Sequence, residues 1–325
     1  MRILVTGGAG YIGGMVALTL VQQGHAVVVY DNLCHSTREL LPPGVDFVQG
    51  EIADRDNLEK LLSTGFDGVM HFAALIEAGE SMRHPELYFR NNSATTLTLL
   101  EAMISTGVHR LVFSSTAAVY GEPDVTPIPE DVPLRPTNPY GESKLLVEKM
   151  LFWMYRVHGF RYASLRYFNV AGAMGGRGEA HEPESHLIPL VLDVALGRRD
   201  HIKIYGEDYP TPDGTCIRDY IHVEDLAHAH LLAFEALATR EQLIYNLGNG
   251  SGFSVREVIE SARRVTGHPI PVESVPRRPG DPAILIASSE KIARELGWKP
   301  RHTRLDAIVQ SAWAWHQIRY RRVGS

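Results

Sequence analysis

The segment Ile3–Gly13, which reads ILVTGGAGYIG, decides the fold. Its apolar start predicts a β-strand over Ile3–Thr6, and the glycines that follow match the spacing GxGxxG from Gly8 and GxxGxxG from Gly7. Glycines at these spacings permit a tight turn, let backbone N–H groups approach a pyrophosphate and seat the next helix against the strand. That helix begins near Tyr11 and would direct its positive end at the phosphates. The segment therefore predicts a dinucleotide-binding loop.

Short apolar runs alternate with longer amphipathic segments over the first 170 residues. The runs predict strands at Ile3–Thr6, Ala26–Tyr30, Val45–Val48, Gly68–Phe72, Arg110–Ser114 and Tyr162–Arg166. The segments between them predict helices at Tyr11–Gln23, Arg55–Leu62, Pro85–Thr106 and Asn138–His158. Several strands are continuously apolar, as strands covered on both faces are. Strands that alternate with helices predict an α/β fold with a doubly wound parallel Rossmann sheet.

The texture of the sequence changes after residue 170, where loops rich in glycine, proline and charge become frequent. Shorter helices are predicted at Glu224–Leu237, Ser254–Thr266, Ser289–Leu296 and Leu305–Arg319. The sequence therefore predicts a Rossmann domain over residues 1–170 and a smaller C-terminal α/β substrate domain over residues 171–325. We expect some segments of the second domain to return and pack on the first.

Composition excludes several classes of protein. Lys and Arg number 32 against 38 Asp and Glu, so the chain lacks the overall basic charge of a nucleic-acid-binding protein. No apolar run approaches the roughly 18 residues of a membrane span. Two cysteines, Cys34 and Cys216, are too few for a disulfide framework. The N-terminus has no signal-peptide layout. These features predict a cytoplasmic globular protein without nucleic-acid or membrane partners.

Asp31 ends the second predicted strand, 18 residues after Gly13. A carboxylate at this place accepts hydrogen bonds from the hydroxyls of an adenosine ribose and would repel a 2′-phosphate, which favours NAD over NADP. The alternative is that Asp31 only begins a turn with Asn32. The glycine loop in register with Asp31 favours the ribose contact.

Tyr140 and Lys144 lie four residues apart, on one face of a predicted helix. A tyrosine that acts as a base near neutral pH needs its pKa lowered by roughly 3 units, about 4 kcal/mol. The ammonium of Lys144 and the positive ring of a nicotinamide could together supply that. Thr116, at the end of the fifth strand, would hold a substrate hydroxyl. The alternative is an exposed Tyr–Lys pair on an amphipathic helix.

The chain has fifteen histidines, which raises the question of a metal site. His222, His228 and His230 cluster in the segment IHVEDLAHAH, but His228 and His230 project from different faces of a helix. We interpret them as structural histidines and predict no metal.

The motifs TGGAGYIG, HFAA, SSTAAVYGE, YGESK and RYFNVAGA resemble those of the extended short-chain dehydrogenase/reductase family. The likeness continues through YGEDYPTPDG and RDYIHV, and within the family it is strongest to the UDP-glucose 4-epimerases. The resemblance implies an NAD-dependent isomerase that interconverts UDP-glucose and UDP-galactose through a transient 4-keto sugar, with Tyr140, Lys144 and Thr116 as catalytic residues. It also implies that the cofactor stays tightly bound.

The same resemblance implies two sets of binding residues. Those for NAD are Gly7, Gly10, Tyr11, Ile12, Gly13, Asp31, Asn32, Leu33, Ser36, Glu51, Ile52, Phe72, Ala73, Ala74, Asn92, Tyr140, Lys144 and Phe168. Those for the UDP-sugar are Thr116, Tyr140, Asn169, His186, Leu187, Tyr205, Arg218, Tyr220, Arg278, Asp281 and Leu285. In the second set Arg218 and Arg278 would bind the diphosphate, Tyr205 would stack on uracil and Asp281 would meet a ribose hydroxyl.

The sequence departs from the family pattern at a few positions. Relatives often carry a lysine just after the HFA motif, whereas this chain has Leu75-Ile76-Glu77. Glu51 stands where an aspartate is usual, and Thr116 replaces a serine. Leu285 resembles the residue that gates the sugar pocket, and a side chain smaller than tyrosine there suggests partial tolerance of UDP-N-acetyl sugars.

Other functions remain open at this point. The same catalytic set serves 4-epimerases of UDP-pentoses and UDP-uronates. A sugar-nucleotide 4,6-dehydratase is disfavoured, because Ala117-Ala118 stand where its acid–base pair would be. A non-catalytic NAD-binding regulator would be expected to lack the Tyr140–Lys144 pair. The apolar helices Pro85–Thr106 and Asn138–His158 match those that form a homodimer interface in the family.

Overall fold

The computed structural model describes residues 1–278 and 281–321, the side chain of Arg321 excepted. The strands, numbered in chain order, are β1 (Arg2–Thr6), β2 (Ala26–Asp31), β3 (Asp46–Gln49), β4 (Gly68–His71), β5 (Arg110–Thr116), β6 (Arg161–Tyr167), β7 (Asn169–Ala171), β8 (Ala173–Met174), β9 (Arg177–Gly178), β10 (Ile202–Tyr205), β11 (Ile217–His222), β12 (Gln242–Leu247), β13 (Gly252–Ser254), β14 (Val272–Val275) and β15 (Ile284–Leu285). The α-helices are α1 (Tyr11–Gln22), α2 (Arg55–Leu62), α3 (Ala78–Ser81), α4 (Pro85–Tyr88), α5 (Thr95–Thr106), α6 (Pro139–His158), α7 (Leu187–Ala195), α8 (Val223–Ala236), α9 (Val255–Thr266), α10 (Glu290–Leu296) and α11 (Leu305–Arg321).

A seven-stranded parallel sheet forms the centre of the molecule, in the order β12-β6-β5-β4-β1-β2-β3. The chain runs outward from β1 to β3 and then returns to β4 on the other side of β1. A cleft opens at the carboxyl ends of the strands where the order reverses in this way. The loops that follow β1 and β4 begin at Gly7 and Phe72, so both predicted cofactor segments lie at this cleft.

Helices cover both faces of the sheet, which explains why its strands are apolar throughout. On one face α1 and α8 pack through residues such as Val16, Leu20 and Phe234. On the other face α2, α5 and α6 pack through residues such as Leu58 and Leu99. Burial on both sides fixes the strand ends, and with them the loops that line the cleft.

The second half of the chain builds a separate apolar core from α7, α9 and α11 with β10 and β11. Strand β11 lies at the centre of a small mixed sheet, in which it pairs with β7, β13 and β15. Strands β10 and β14 form a parallel pair beside it. Because β7 directly follows β6 of the large sheet, this core is attached at the carboxyl edge of the Rossmann strands.

The predicted fold class is confirmed, and the six predicted strands match β1 to β6 closely. Strands β7 to β15 were not predicted, and one of them, β12, joins the large sheet: residues 242–247 return from the second half of the chain and pair with β6. Helix α8 also returns and packs against α1. The domain boundary near residue 170 stays a prediction.

One predicted helix is wrong in detail. The segment Pro85–Thr106 is not one α-helix, because a π-helical turn at Phe89–Ala94 separates α4 from α5. The turn contains Asn91 and Asn92, and Asn92 is buried and bonded to other segments. These tertiary bonds outweigh the preference of the backbone for regular helix, as is common for π-turns at functional sites. Within residues 1–278 and 281–321, no helix is both long and apolar enough to cross a bilayer.

Candidate active site

The glycine loop between β1 and α1 leaves no room for side chains at two places. A Cβ atom on Gly7 would lie 2.5 Å from the backbone nitrogen of Ala73, and Gly7 has a φ of +73°. A Cβ atom on Gly13 would lie 2.3 Å from the carbonyl oxygen of Gly7. Gly10 is the N-cap of α1. The first turn of α1 is thus open at the cleft, which is the geometry that binds a pyrophosphate through backbone N–H groups.

Asp31 is fixed in place at the end of β2. One carboxylate oxygen accepts a hydrogen bond from the N–H of Ala9 at 3.0 Å, and the other accepts one from the N–H of Leu33 at 2.8 Å. Leu33 adopts a φ of +63°, which the turn through Asn32 requires. Each carboxylate oxygen has a further lone pair. Asp31 is therefore both the start of a turn and a rigid acceptor beside the glycine loop, so the two readings of the sequence are compatible.

Other predicted cofactor residues lie around this acceptor. The carboxylate of Glu51 accepts hydrogen bonds from the side-chain amide of Asn32, at 3.2 and 3.1 Å, and the carbonyl oxygen of Glu51 accepts one from the Tyr30 hydroxyl. Ser36 lies on the loop after β2, and Ile52 follows Glu51 after β3. These groups line the ends of β2 and β3, on the side of the cleft that an adenosine would occupy.

Asn92 ties the loop after β4 to helix α6. Its side-chain oxygen accepts from the N–H of Leu75 at 2.8 Å, and its side-chain nitrogen donates to the carbonyl of Leu75 at 3.0 Å and to the hydroxyl of Ser143 at 3.1 Å. The amide thus holds the segment after Phe72, Ala73 and Ala74 in place. A direct contact between Asn92 and a cofactor stays a prediction.

The structure brings Tyr140, Lys144 and Thr116 together at the carboxyl end of β5. Helix α6 begins just before Tyr140, because the side chain of Asn138 caps it by accepting from the N–H of Gly141 at 2.9 Å. Lys144 is 3% exposed, and its ammonium donates to the carbonyl of Ser114 at 2.9 Å. The hydroxyl of Thr116, which accepts from the N–H of Ala118 at 3.1 Å, lies at the end of β5 and lowers the pKa of the Tyr140 phenol. The local helix geometry and the strand end together place three chemically active groups at one point.

Burial affects the pKa values of both Tyr140 and Lys144. Burial raises the pKa of Tyr140, the hydroxyl of Thr116 lowers it, and the negative charge of Glu77 raises it further. Burial also lowers the pKa of Lys144 to about 7, so its ammonium is easily neutralised. The lowering of the phenol pKa was predicted for Lys144 and a nicotinamide ring acting together, and it stays a prediction. A cation bound in the cleft would have to supply that lowering.

A buried ion pair supports the catalytic helix from behind. The guanidinium of Arg166 on β6 contacts the carboxylate of Glu148 on α6 at 2.6 Å, with side-chain exposures of 3% and 7%. The hydroxyl of Ser115 donates to the same carboxylate at 2.5 Å, and Arg166 donates to the Tyr120 hydroxyl at 2.9 Å. Sequence reasoning missed this network. The sequence signals that could have indicated this network are Arg166 at the end of a predicted strand and Glu148 one turn after Lys144.

The predicted UDP-sugar residues fall into two groups on the other side of the cleft. In the first, the guanidinium of Arg218 on β11 is paired with the carboxylate of Asp281, and Leu285 on β15 lies beside Arg218 in the sheet. In the second, the guanidinium of Arg278 lies 3.9 Å from the ring centre of Tyr205. In each group a guanidinium lies against a side chain that orients it.

The remaining predicted residues lie near the junction of the two halves. Asn169 on β7 bonds the buried Tyr220 on β11. Phe168 is buried in a small apolar cluster, and Leu187 opens helix α7. The hydroxyl of Tyr11 donates to the carbonyl of Gly172 at 2.7 Å, which ties the start of α1 to the second half.

His186 forms a close pair with Glu184, whose carboxylate lies 2.8 Å from its ring nitrogen. Burial lowers the pKa of His186, but the hydrogen bond that its ring donates to Glu184 and the charges of Glu179, Glu184 and Glu77 outweigh it and raise the pKa to about 9. The imidazole is therefore cationic at neutral pH, which suits a residue near a diphosphate.

One group of His and Glu side chains lies close enough together to hold a metal ion. Nitrogen and oxygen atoms of His222, Glu224 and His302 lie within 4.8 Å of one another. However, one nitrogen of His222 accepts from the N–H of Glu224 and the other contacts the hydroxyl of Ser311 at 3.0 Å. Both nitrogens of His222 are thus engaged in capping α8 and in packing, which supports the structural interpretation of His222.

A Rossmann cleft with a tyrosine, a lysine and a threonine at its mouth defines an enzyme that works on an alcohol or carbonyl carbon with a dinucleotide. The family described as the NAD dependent epimerase/dehydratase family matches residues 3–248, so the chain belongs to that family. This match confirms the family resemblance and the predicted use of NAD.

The similar proteins are consistent over nearly the whole chain. A UDP-glucose 4-epimerase of Streptomyces lividans is 56% identical over 317 residues, which cover 97% of this chain and 96% of that protein. The structure of a UDP-glucose-4-epimerase from Stenotrophomonas maltophila with bound NAD and formylated UDP-arabinopyranose has a TM-score of 0.96 at 42% identity, and covers 99% of both chains. That of a UDP-glucose 4-epimerase from Bifidobacterium longum with NAD⁺ and UDP has a TM-score of 0.93 at 38% identity, and covers 98% of both chains.

Proposed function

We propose that this chain is an NAD-dependent 4-epimerase that interconverts UDP-glucose and UDP-galactose. The observation that carries the proposal is the meeting of Tyr140, Lys144 and Thr116 at the end of β5, beside the glycine cleft. Relatives at 50–56% identity over nearly their full length bear the name of this activity. The class of reaction follows from the site, and the sugar from the relatives.

The residues of the cleft fit NAD. Glycine is required at Gly7 and Gly13, where a side chain would strike backbone, and the oriented carboxylate of Asp31 is placed for a ribose with free hydroxyls. NAD, when bound, supplies reversible oxidation and reduction at C4 of the sugar. We further propose that the other cofactor residues predicted from the sequence contact it.

The side chains of this protein carry the remaining steps. Tyr140 takes the proton from the C4 hydroxyl and returns it at the end of the cycle. Thr116 orients that hydroxyl, and its effect on the pKa of Tyr140 supports a place beside the phenol. Lys144 is held by the carbonyl of Ser114. When Lys144 is protonated, its positive charge favours the phenolate form of Tyr140.

The second half of the chain holds the UDP group, while the sugar must be free to turn. We propose that Arg218 and Arg278 bind the diphosphate, that Tyr205 stacks on the uracil and that Asp281 meets a ribose hydroxyl. Support comes from the geometry, because Arg218 is oriented by Asp281 and Arg278 lies over Tyr205. Binding through a remote handle leaves the reacting ring able to present either face.

The decisive experiment incubates the purified protein with UDP-galactose and no added cofactor, and follows UDP-glucose by chromatography. Conversion without added NAD is expected, and denaturation should release NAD. UDP-arabinose and UDP-glucuronate serve as comparison substrates. A protein that converts one of these and leaves UDP-galactose unchanged would overturn the assignment of the sugar but not of the reaction.

We also propose a cytoplasmic homodimer. Helix α6 exposes Phe152, Trp153 and Val157, with exposed fractions of 41%, 62% and 67%. Met82 and Leu87, near the start of the predicted helix Pro85–Thr106, are also exposed. A neighbouring group of large exposed apolar residues indicates a protein–protein contact. Both cysteines are free, as expected in a reducing compartment.

A further inference from the structure

Residues 177–186 form a segment that contacts both the loop after β2 and the loop after β4, and we call it the strap. At its start Arg177 donates to the carbonyl of Leu40 at 2.7 Å, on the loop after β2. His181 contacts His35 on the same loop, with ring centres 5.8 Å apart. Toward its end the hydroxyl of Ser185 donates to the carboxylate of Glu77 at 2.8 Å, on the loop after β4.

The sheet order fixes what lies beneath the strap. Strand β1 lies between β2 and β4, and the glycine loop follows β1. A segment that reaches from the loop after β2 to the loop after β4 therefore passes over the glycine loop. A dinucleotide held by that loop would lie under the strap.

Glu77 is the fastening point on the β4 side. The oxygen that accepts from Ser185 also lies 3.6 Å from a ring nitrogen of His181, and the Glu77 side chain is 31% exposed. Its backbone is fixed as well, because Glu77 precedes α3 and accepts the N–H of Ser81, and Asn92 holds Leu75 two residues earlier.

We propose that Glu77 is a positioning residue that fastens the strap across the cleft and thereby keeps the dinucleotide from leaving between turnovers. The need for such a device rests on the proposed function, since an epimerase must keep its cofactor bound through both half-reactions. The charge of Glu77 also raises the pKa of Tyr140.

Several titratable groups face Glu77. His181 and His186 of the strap, Tyr88 of α4 and Tyr140 of α6 all interact with its charge. Glu80, one turn further along, bonds the hydroxyl of Tyr88. Burial raises the pKa of Tyr140, and Glu77 adds to the rise. Loss of the Glu77 charge should therefore lower the pKa of the phenol.

Two variants separate the effect of the Ser185–Glu77 hydrogen bond from the effect of the Glu77 charge. Ser185→Ala removes the hydrogen bond and leaves the charge, whereas Glu77→Gln removes the charge and keeps an oxygen that can accept from Ser185. Glu77→Ala removes both. Glu86→Gln is the matched control, because Glu86 is exposed and contacts only His84 at 3.8 Å among the described side chains.

Cofactor retention is measured first, as NAD still bound to each holoenzyme after fixed times of gel filtration at pH 7.5. We expect Ser185→Ala and Glu77→Ala to lose NAD about tenfold faster than the parent, which corresponds to one hydrogen bond. The double variant that combines Ser185→Ala with Glu77→Ala should lose NAD no faster than Glu77→Ala alone. Glu77→Gln and Glu86→Gln should lose NAD at the parent rate. Release at the parent rate from both Ser185→Ala and Glu77→Ala overturns the fastening role.

The pH profile of kcat/KM for UDP-galactose is measured next. Because the phenolate is the active form, the acidic limb should move to lower pH in Glu77→Gln and Glu77→Ala and stay in place in Ser185→Ala. A purely structural role would move none of these limbs, and unshifted profiles would overturn the link to Tyr140. If the parent does not convert UDP-galactose, the proposed function fails, while NAD retention still tests the strap.

Discussion

At the scale of single residues, the proposed mechanism depends on the phenol of Tyr140. We expect Tyr140→Phe to lower kcat by about 10²–10⁴, the usual contribution of a positioned acid–base group. The fold and the NAD content should be unchanged, because the ring remains. Tyr155→Phe is the control, since it removes a hydroxyl that bonds Glu241 far from the cleft. Parent-like turnover by Tyr140→Phe would exclude the proposed mechanism.

We propose that Leu285 influences which sugars the pocket admits. It is half-buried on β15, beside Arg218 and packed against the cluster that contains Phe168. We predict measurable activity on UDP-N-acetylgalactosamine, and a drop of about 10-fold or more in Leu285→Tyr, as expected when a side chain fills the space of an extra group. Activity on UDP-galactose should change little. A parent enzyme that is active on UDP-galactose and inactive on the N-acetyl sugar would reject this tolerance.

Residue patterns that lie close together in the chain were readable from the sequence. Tyr140 and Lys144 share a helix face, so their spacing alone predicted that they meet. The contact of Glu77 with Ser185 spans 108 positions, and no local pattern reports it. The effects of burial and of Glu77 on the pKa of Tyr140 also depend on contacts that no local pattern reports.

At the scale of elements, the junction of β1 and α1 tolerates no side chain at Gly13. We expect Gly13→Ala to purify without NAD and to lack activity, because the new Cβ atom would lie 2.3 Å from the Gly7 carbonyl oxygen. Gly79→Ala is the control, since a Cβ atom at Gly79 meets no atom within 4 Å among those described. Absorbance of the released nucleotide measures the outcome. NAD retained at parent level in Gly13→Ala would contradict the role of this loop.

The contact between α6 and β6 depends on the Glu148–Arg166 pair. Arg166→Met leaves the Glu148 carboxylate buried without its partner, and we expect the free energy of unfolding to fall by about 3–5 kcal/mol. The double variant Glu148→Leu with Arg166→Met should recover most of that loss, because neither charge remains. Urea unfolding at saturating NAD measures both. A double variant as unstable as the sum of the single ones would contradict this account.

Elements with strong local signals were predicted well, and those set by tertiary contacts were not. Helix α1 follows directly from the glycine loop, and Asn138 and Pro139 mark the start of α6. The π-turn at Phe89–Ala94 arises from bonds between Asn92, Leu75 and Ser143, which lie in three different segments. Sequence periodicity over Pro85–Thr106 contains no information about those bonds.

At the scale of the whole molecule, the order of the strands could not be read from any one segment. No strand was predicted at residues 242–247, and nothing within that run indicates which strand it pairs with. Its place beside β6 follows from α8, which returns along α1 and delivers β12 to the edge of the large sheet. The second half is thereby attached to the Rossmann sheet at both β7 and β12, which holds the UDP-binding side against the cofactor side.

The exposed face of α6 makes a prediction about assembly. A stable interface buries roughly 800 Å² per partner, with aromatic residues at its centre, and Trp153 with Phe152 would supply that centre. We expect the parent to sediment as two chains at micromolar concentration and Trp153→Glu as one, because a charge would be buried without a partner. Val272→Glu, at an exposed apolar position on β14, should remain a dimer. A parent that sediments as a single chain would remove the dimer, and the apolar face of α6 would then need another partner.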